Sequence, residues 1–133
     1  MASLSPDLFW LAATATLTAL MWLPYILNRV LEQGLEGAVL NPAPPSPAKA
    51  AWAERLRAAH ANMAVALAIF AALVLSVQAA GLASPGTALA CQVFFWARLV
   101  HAVVYTLGVP MGRTLAFTVA FICQMVLAWT LLG

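Results

Sequence analysis

Charge is what this sequence most lacks. Six lysines and arginines and four aspartates and glutamates are spread over 133 residues, where a soluble domain carries roughly a quarter charged residues. So few cannot cover a water-facing surface, which excludes a soluble globular enzyme. The same scarcity leaves no basic footprint for a nucleic-acid partner. Cysteine is nearly missing too. Cys91 and Cys123 stand alone in separate apolar segments without C-x-x-C spacing, so neither a redox pair nor a metal site is expected, and both read as small buried hydrophobes. Strict apolar–polar alternation is absent, which argues against a membrane β-barrel. What the chain does have is 65% hydrophobic residues, ample apolar surface to bury and too much for disorder. These features describe an all-α integral membrane protein of one domain, residues 1–133.

A helix needs ~20 apolar residues to cross a bilayer, and four stretches qualify: Leu8 to Leu31, Ala58 to Leu82, Thr87 to Leu107, and Gly112 to Leu132. Pro85 and Gly86 separate the second and third; Gly108 and Pro110 separate the third and fourth. Short connections make these three an antiparallel set. The first connection, from about Glu32 to Trp52, contains Asn41-Pro-Ala-Pro-Pro-Ser-Pro47 and reads as an extended linker without a helix of its own. Pro24 lies inside the first span and is expected to kink it.

Arg29, Lys49, Arg55, Arg57 and Arg113 all fall on the side shared by the first and third connections, and the opposite side has no lysine or arginine. By the positive-inside rule the basic side is cytoplasmic and both termini face away from it. The first span carries Asp7 and no base on its N-terminal flank and is too long for a signal-peptide core, so it is expected to be retained.

Polar groups within a bilayer are functional candidates because they are expensive there. The third span offers Arg98, His101 and Tyr105, which fall within about 60° of one another on a helix. Arg98 is about nine residues from the cytoplasmic end, ~13 Å deep, and should face protein or a wet cavity rather than snorkel. The second span carries Arg57, His60 and Asn62. Arg57 and His60 share a face, whereas Asn62 lies about 200° round from His60. One helix thus presents polar groups in two directions, and a second subunit would cover both. Arg113 begins the fourth span. No acidic residue follows Glu54, so this cluster is cationic and wants an anionic ligand, held by arginine forks.

These residues carry a resemblance. Arg57-Ala-Ala-His60-Ala-Asn62 followed by Phe70, and Arg98-Leu-Val-His101 with Tyr105 leading to Pro110-x-x-Arg113-Thr114, resemble the family of membrane-associated proteins in eicosanoid and glutathione metabolism (MAPEG). Trp22-x-Pro24-Tyr25 looks like its bacterial branch, implying a bacterial inner membrane. The resemblance implies a left-handed four-helix bundle assembled as a homotrimer, with glutathione as co-substrate bound between subunits near the cytoplasmic face. It implies a transferase or peroxidase acting on lipophilic small-molecule electrophiles that arrive through membrane lipid. By position, Arg57, His60, Asn62, Arg98, His101 and Tyr105 correspond to the glutathione-binding set, and Arg113 to the catalytic arginine that stabilises the thiolate. Such a role is chemically sound, because a guanidinium beside a thiol lowers its pKa and raises the reactive thiolate fraction. The chain departs from the family where a Glu, often followed by Asn, is usual: here stand Val65 and Ala66.

That departure keeps a second class in play, a non-catalytic lipid-binding or scaffold protein of the same fold. Proton-coupled export has little support without an intramembrane carboxylate after Glu54 or in the first span before Glu32. Haem ligation by His60 and His101 would need polar partners that the sequence does not identify.

Overall fold

The computed structural model describes residues 3–40 and 47–133. Among them are five helices and no strand: α1 (Pro6–Leu20), α2 (Trp22–Val39), α3 (Ala51–Ala79), α4 (Pro85–Leu107) and α5 (Pro110–Leu132). Taken together, α1 and α2 make one passage and α3, α4 and α5 one each, giving four passages long and apolar enough to cross a membrane. The protein is an all-α integral membrane protein.

The break in the first passage has a local cause. Pro24 has no N–H to offer the carbonyl four residues back, at Leu20, and α1 ends at that residue. Met21 bridges the two helices with its amide shared between the carbonyls of Leu17 (3.1 Å) and Thr18 (3.4 Å). Two buried threonines in α1 return their hydroxyls to the helix itself, Thr14 to the carbonyl of Trp10 and Thr18 to that of Thr14, each at 2.8 Å.

Helices outrun the apolar stretches at the basic end. α2 continues to Val39, interrupted at Gly34 (φ 74°), so the first part of the expected linker is helical. α3 begins at Ala51 and spans 29 residues, ~43 Å at 1.5 Å per residue, against a hydrocarbon core of ~30 Å. Its first turns, with Glu54, Arg55 and Arg57, therefore stand beyond the apolar stretch. Hydropathy marks what lipid solvates; it does not mark where hydrogen bonding stops. The proline-rich residues 41–46 lie outside the described residues.

The other two connections are tight for reasons written in the sequence. After α3, Gly81 (φ 68°) turns the chain, and Leu82 donates to the carbonyl of Val77 at 3.0 Å. Ser84 and Thr87 then cap α4 reciprocally around Pro85. After α4, Gly108 (φ 78°) does the same, with the Val109 amide on the carbonyl of Val104 at 2.9 Å, before Pro110 starts α5. A Cβ on Gly108 would also lie 3.4 Å from the Arg55 guanidine carbon. Gly108→Ala is expected to destabilise the protein by about 1–2 kcal/mol, read as a lowered melting temperature in detergent; an unchanged melt would contradict this account of the turn.

Between helices in lipid, close packing and hydrogen bonds do the work that water-driven burial does elsewhere. The central core stacks Phe70 of α3 on Phe94 of α4 (centroids 3.9 Å apart) and fills in with Val74, Cys91, Cys123 and Leu127. Both cysteines are free and buried, as expected of small hydrophobes. Alanines at buried positions of α4 and α5, among them Ala90, Ala97, Ala116 and Ala120, let those helices approach closely. Nearer the basic end, Met21, Leu56, Ala59, Met63 and Ala102 form a second cluster.

Candidate functional site

The polar side chains of α3 do point two ways, but one chain covers both. On one face the Tyr25 hydroxyl and His60 Nδ1 share a hydrogen bond of 2.7 Å. On the other, Asn62 Oδ1 accepts from Arg98 Nη2 of α4, also at 2.7 Å. Each face therefore finds a partner within one chain, where the sequence suggested a second subunit as the cover. The kinked first passage carries Tyr25 onto His60, so the arrangement of polar groups does not by itself call for an oligomer.

Arg98 is the most telling residue. It is 1% exposed, and its Nε is buried without a hydrogen-bond partner. Asn62 is neutral, so the guanidinium is held in place without being neutralised. One turn along the same face of α4, His101 is 2% exposed and its Nδ1 is likewise buried and unpartnered. Its ring meets Tyr105 edge-on at 5.6 Å. Across the α4–α5 turn, the exposed Arg113 lays its guanidinium over the Tyr105 ring, 4.6 Å from the centroid. Asn62 thus meets Arg98 between α3 and α4, His101 meets Tyr105 along α4, and Tyr105 meets Arg113 of α5; Arg98, His101 and Tyr105 share one face by helical period.

Arg57 and His60 do not join these contacts. Arg57 is turned to Glu54, one turn earlier on α3, at 3.6 Å. It lines a cavity of about 270 Å³ between α2 and α3 with Tyr25, Arg29, Glu32 and Glu54. This cavity holds both signs of charge. Glu32 accepts from the amides of Lys49 (3.1 Å) and Ala50 (3.0 Å), and Glu54 from that of Ala48 (2.7 Å), which ties the start of α3 to α2. Glu32 and Glu54 were missed by sequence reasoning because they lie outside the apolar stretches where polar residues look costly, and Arg29, whose Nε is buried and unpartnered, reads as a topology signal at the end of the first stretch.

Two further polar residues escaped notice. Gln124 of α5 donates to the carbonyl of Ala66 at 3.1 Å, tying α5 to α3. Asp7, read as a flanking residue, is 2% exposed at the end opposite the arginines, with the Cys91 thiol 4.0 Å away. The position where the resemblance leads us to expect a glutamate is the reverse case. Val65 is 66% exposed, on the outer surface of α3.

No group of three or more histidine, cysteine or acidic side chains could hold a metal among the described residues. The basic residues at the ends of helices do gather at one end of the bundle, where Arg55 Nε donates to the carbonyl of Thr106 at 2.8 Å and so joins the first turn of α3 to the last of α4. The family model that matches this chain is that of the MAPEG family, over residues 8–133. No curated protein and no solved structure matches it.

Proposed function

Since the chain belongs to the MAPEG family, we propose that it is a membrane-bound, glutathione-dependent transferase or peroxidase acting on lipophilic electrophiles. The observation that carries this reading is the buried Arg98 guanidinium, fixed by Asn62 and without an acidic partner among the described residues. An uncompensated charge in a membrane protein's interior is costly, and an anionic ligand such as a glutathione carboxylate offsets that cost.

In this reading Asn62, Arg98, His101 and Tyr105 bind the tripeptide from one side, with Arg57 and His60 completing the site. Arg113 faces the sulfur and stabilises the thiolate. The electrophile reaches it laterally from the bilayer. Glutathione also carries an ammonium group, and none of Asn62, Arg98, His101, Tyr105 and Arg113 is a carboxylate that could take it. Because Arg57 and His60 open away from the Arg98 contacts, one glutathione meets both groups only between subunits. We therefore assign a homotrimer, embedded in a bacterial inner membrane with both termini outside the cytoplasm.

Val65 tests this placement. It faces out of its own subunit, so a carboxylate there reaches the ligand's ammonium only in a cleft between subunits. Val65→Glu is expected to tighten glutathione binding about tenfold, since a charge-assisted hydrogen bond contributes ~1.5–3 kcal/mol and 1.4 kcal/mol is a decade. Isothermal titration of wild type and variant, each checked as a trimer by light scattering, measures it. Loss of the trimer or of any glutathione heat at millimolar ligand would contradict the proposal. A second reading, a non-catalytic lipid-binding or scaffold protein, is favoured by the apolar pair at Val65 and Ala66; a trimer that binds lipid and ignores thiol would support it.

A further inference from the structure

Arg55 is used by none of the roles above, and its surroundings ask for a ligand. It shares a cavity of about 260 Å³ with Tyr105, Gly108, Pro110 and Arg113 at the basic end of the bundle. Its orientation is fixed, because Nε is spent on the Thr106 carbonyl at 2.8 Å. Four of its five N–H donors remain. Arg113 is fixed from the other side by its stacking on Tyr105. Two guanidiniums thus line one small cavity into which no carboxylate projects, Glu54 being turned to Arg57 instead.

The backbone adds to the imbalance. α5 starts here, its N-cap Val109 supplies no side-chain hydrogen bond, and Arg113 lies just past the first turn. A helix N-terminus carries partial positive charge and disfavours a nearby cation. An arginine there, beside a second arginine and free amides, is a poor arrangement for stability and a good one for an oxyanion. The rim around it is apolar: Leu107, Val109 and Met111 are exposed large hydrophobics on either side of the turn. Free phosphate has no use for such a rim, whereas an acyl chain does.

The geometry points to an oxyanion clamp, formed by Arg55 and Arg113, that takes the phosphate or carboxylate head of an acyl amphiphile at the basic membrane interface. The clamp goes beyond the glutathione reading and does not require turnover. It gives the protein a preference for anionic over neutral amphiphiles, set by Arg55.

The test uses the full chain in a neutral detergent and three probes: hexyl phosphate, hexanol as the tail alone, and inorganic phosphate as the head alone. By isothermal titration, hexyl phosphate is expected to bind more tightly than either fragment. Arg55→Gln and Arg113→Gln should each weaken it about tenfold or more, with hexanol unaffected. If Arg55→Gln does not fold, Arg55→Lys, which keeps a charge but loses the fork, serves in its place and is expected to weaken hexyl phosphate about tenfold; hexyl phosphate bound as tightly as by the wild type would overturn the clamp. Inorganic phosphate binding as tightly as hexyl phosphate would overturn the amphiphile assignment. Unchanged hexyl phosphate binding in both variants would overturn the clamp. Loss of glutathione binding in Arg55→Gln with hexyl phosphate binding intact would also overturn it, by giving the residue to the thiol site; loss of hexyl phosphate binding alone leaves the glutathione reading untouched.

Discussion

Arg98→Leu is expected to fold at least as stably as the wild type and to lose glutathione binding by roughly tenfold to a hundredfold. The two halves of that expectation pull apart a ligand-binding arginine from a structural one. Arg98 is fully buried, its Nε is unpartnered and its one protein hydrogen bond goes to a neutral amide. The effective penalty for burying such a charge is several kcal/mol. Leucine removes that penalty and leaves Asn62 Oδ1 short of a donor, which costs about 1–3 kcal/mol, so stability is neutral or raised. Binding falls because a charge-assisted hydrogen bond to the ligand's carboxylate, worth ~1.5–3 kcal/mol, has gone. Thermal melts and isothermal titration on the same preparation read both. A variant that melts much lower, or one that binds glutathione as before, would show that Arg98 serves the bundle and not the ligand.

Arg113→Leu is expected to lower the conjugation rate about a hundredfold or more, the scale seen when a preorganised stabiliser of developing charge is removed. Folding and assembly should be unchanged, because Arg113 is exposed and its guanidinium stacks on the outside of the Tyr105 ring. The pH dependence discriminates further. A guanidinium beside the sulfur lowers the thiol's pKa below its free value near 8.5, so the wild-type rate should reach its plateau at lower pH than that of the variant. Without the arginine the inflection moves up, toward the free thiol. Initial rates with an aryl halide electrophile across the pH range measure it. A rate unchanged at every pH would make Arg113 a membrane anchor only.

Much of this architecture is legible in the sequence because membrane helices announce themselves. Four apolar stretches, a proline at position 24 and Gly-Pro punctuation at two turns are enough to place four passages and a kink, and the break at Met21 follows from Pro24 alone. The helix ends were less legible. Lipid sets the apolar length, but α2 and α3 continue past it on their own hydrogen bonds, and Glu32 and Glu54 brace that extension from positions that look like a linker. The site was legible where it obeys helical spacing. Arg98, His101 and Tyr105 on one face of α4 needed only the period of the helix, and Arg113 joins them across the two-residue turn of Gly108 and Val109. Pairing across helices was not legible. Nothing in the spacing of His60 says that Tyr25 will meet it, because that contact depends on the angle of the kink. Arg29 and Arg55 went unassigned for a related reason: a base near a helix end looks like a topology signal until its neighbours are known. The partners that one chain supplies on the two faces of α3, Tyr25 for His60 and Arg98 for Asn62, were hidden for the same reason.

The central claim is that this bundle binds glutathione and holds its sulfur as a thiolate beside Arg113. Ultraviolet difference absorbance of the purified, detergent-solubilised protein, titrated with glutathione at neutral pH, reads that state directly. The account predicts a saturable thiolate band that is absent when S-methyl glutathione replaces the thiol and is lost in Arg113→Leu. A folded protein that gives no thiolate band at millimolar glutathione, or one that gives the same band without Arg113, would contradict it.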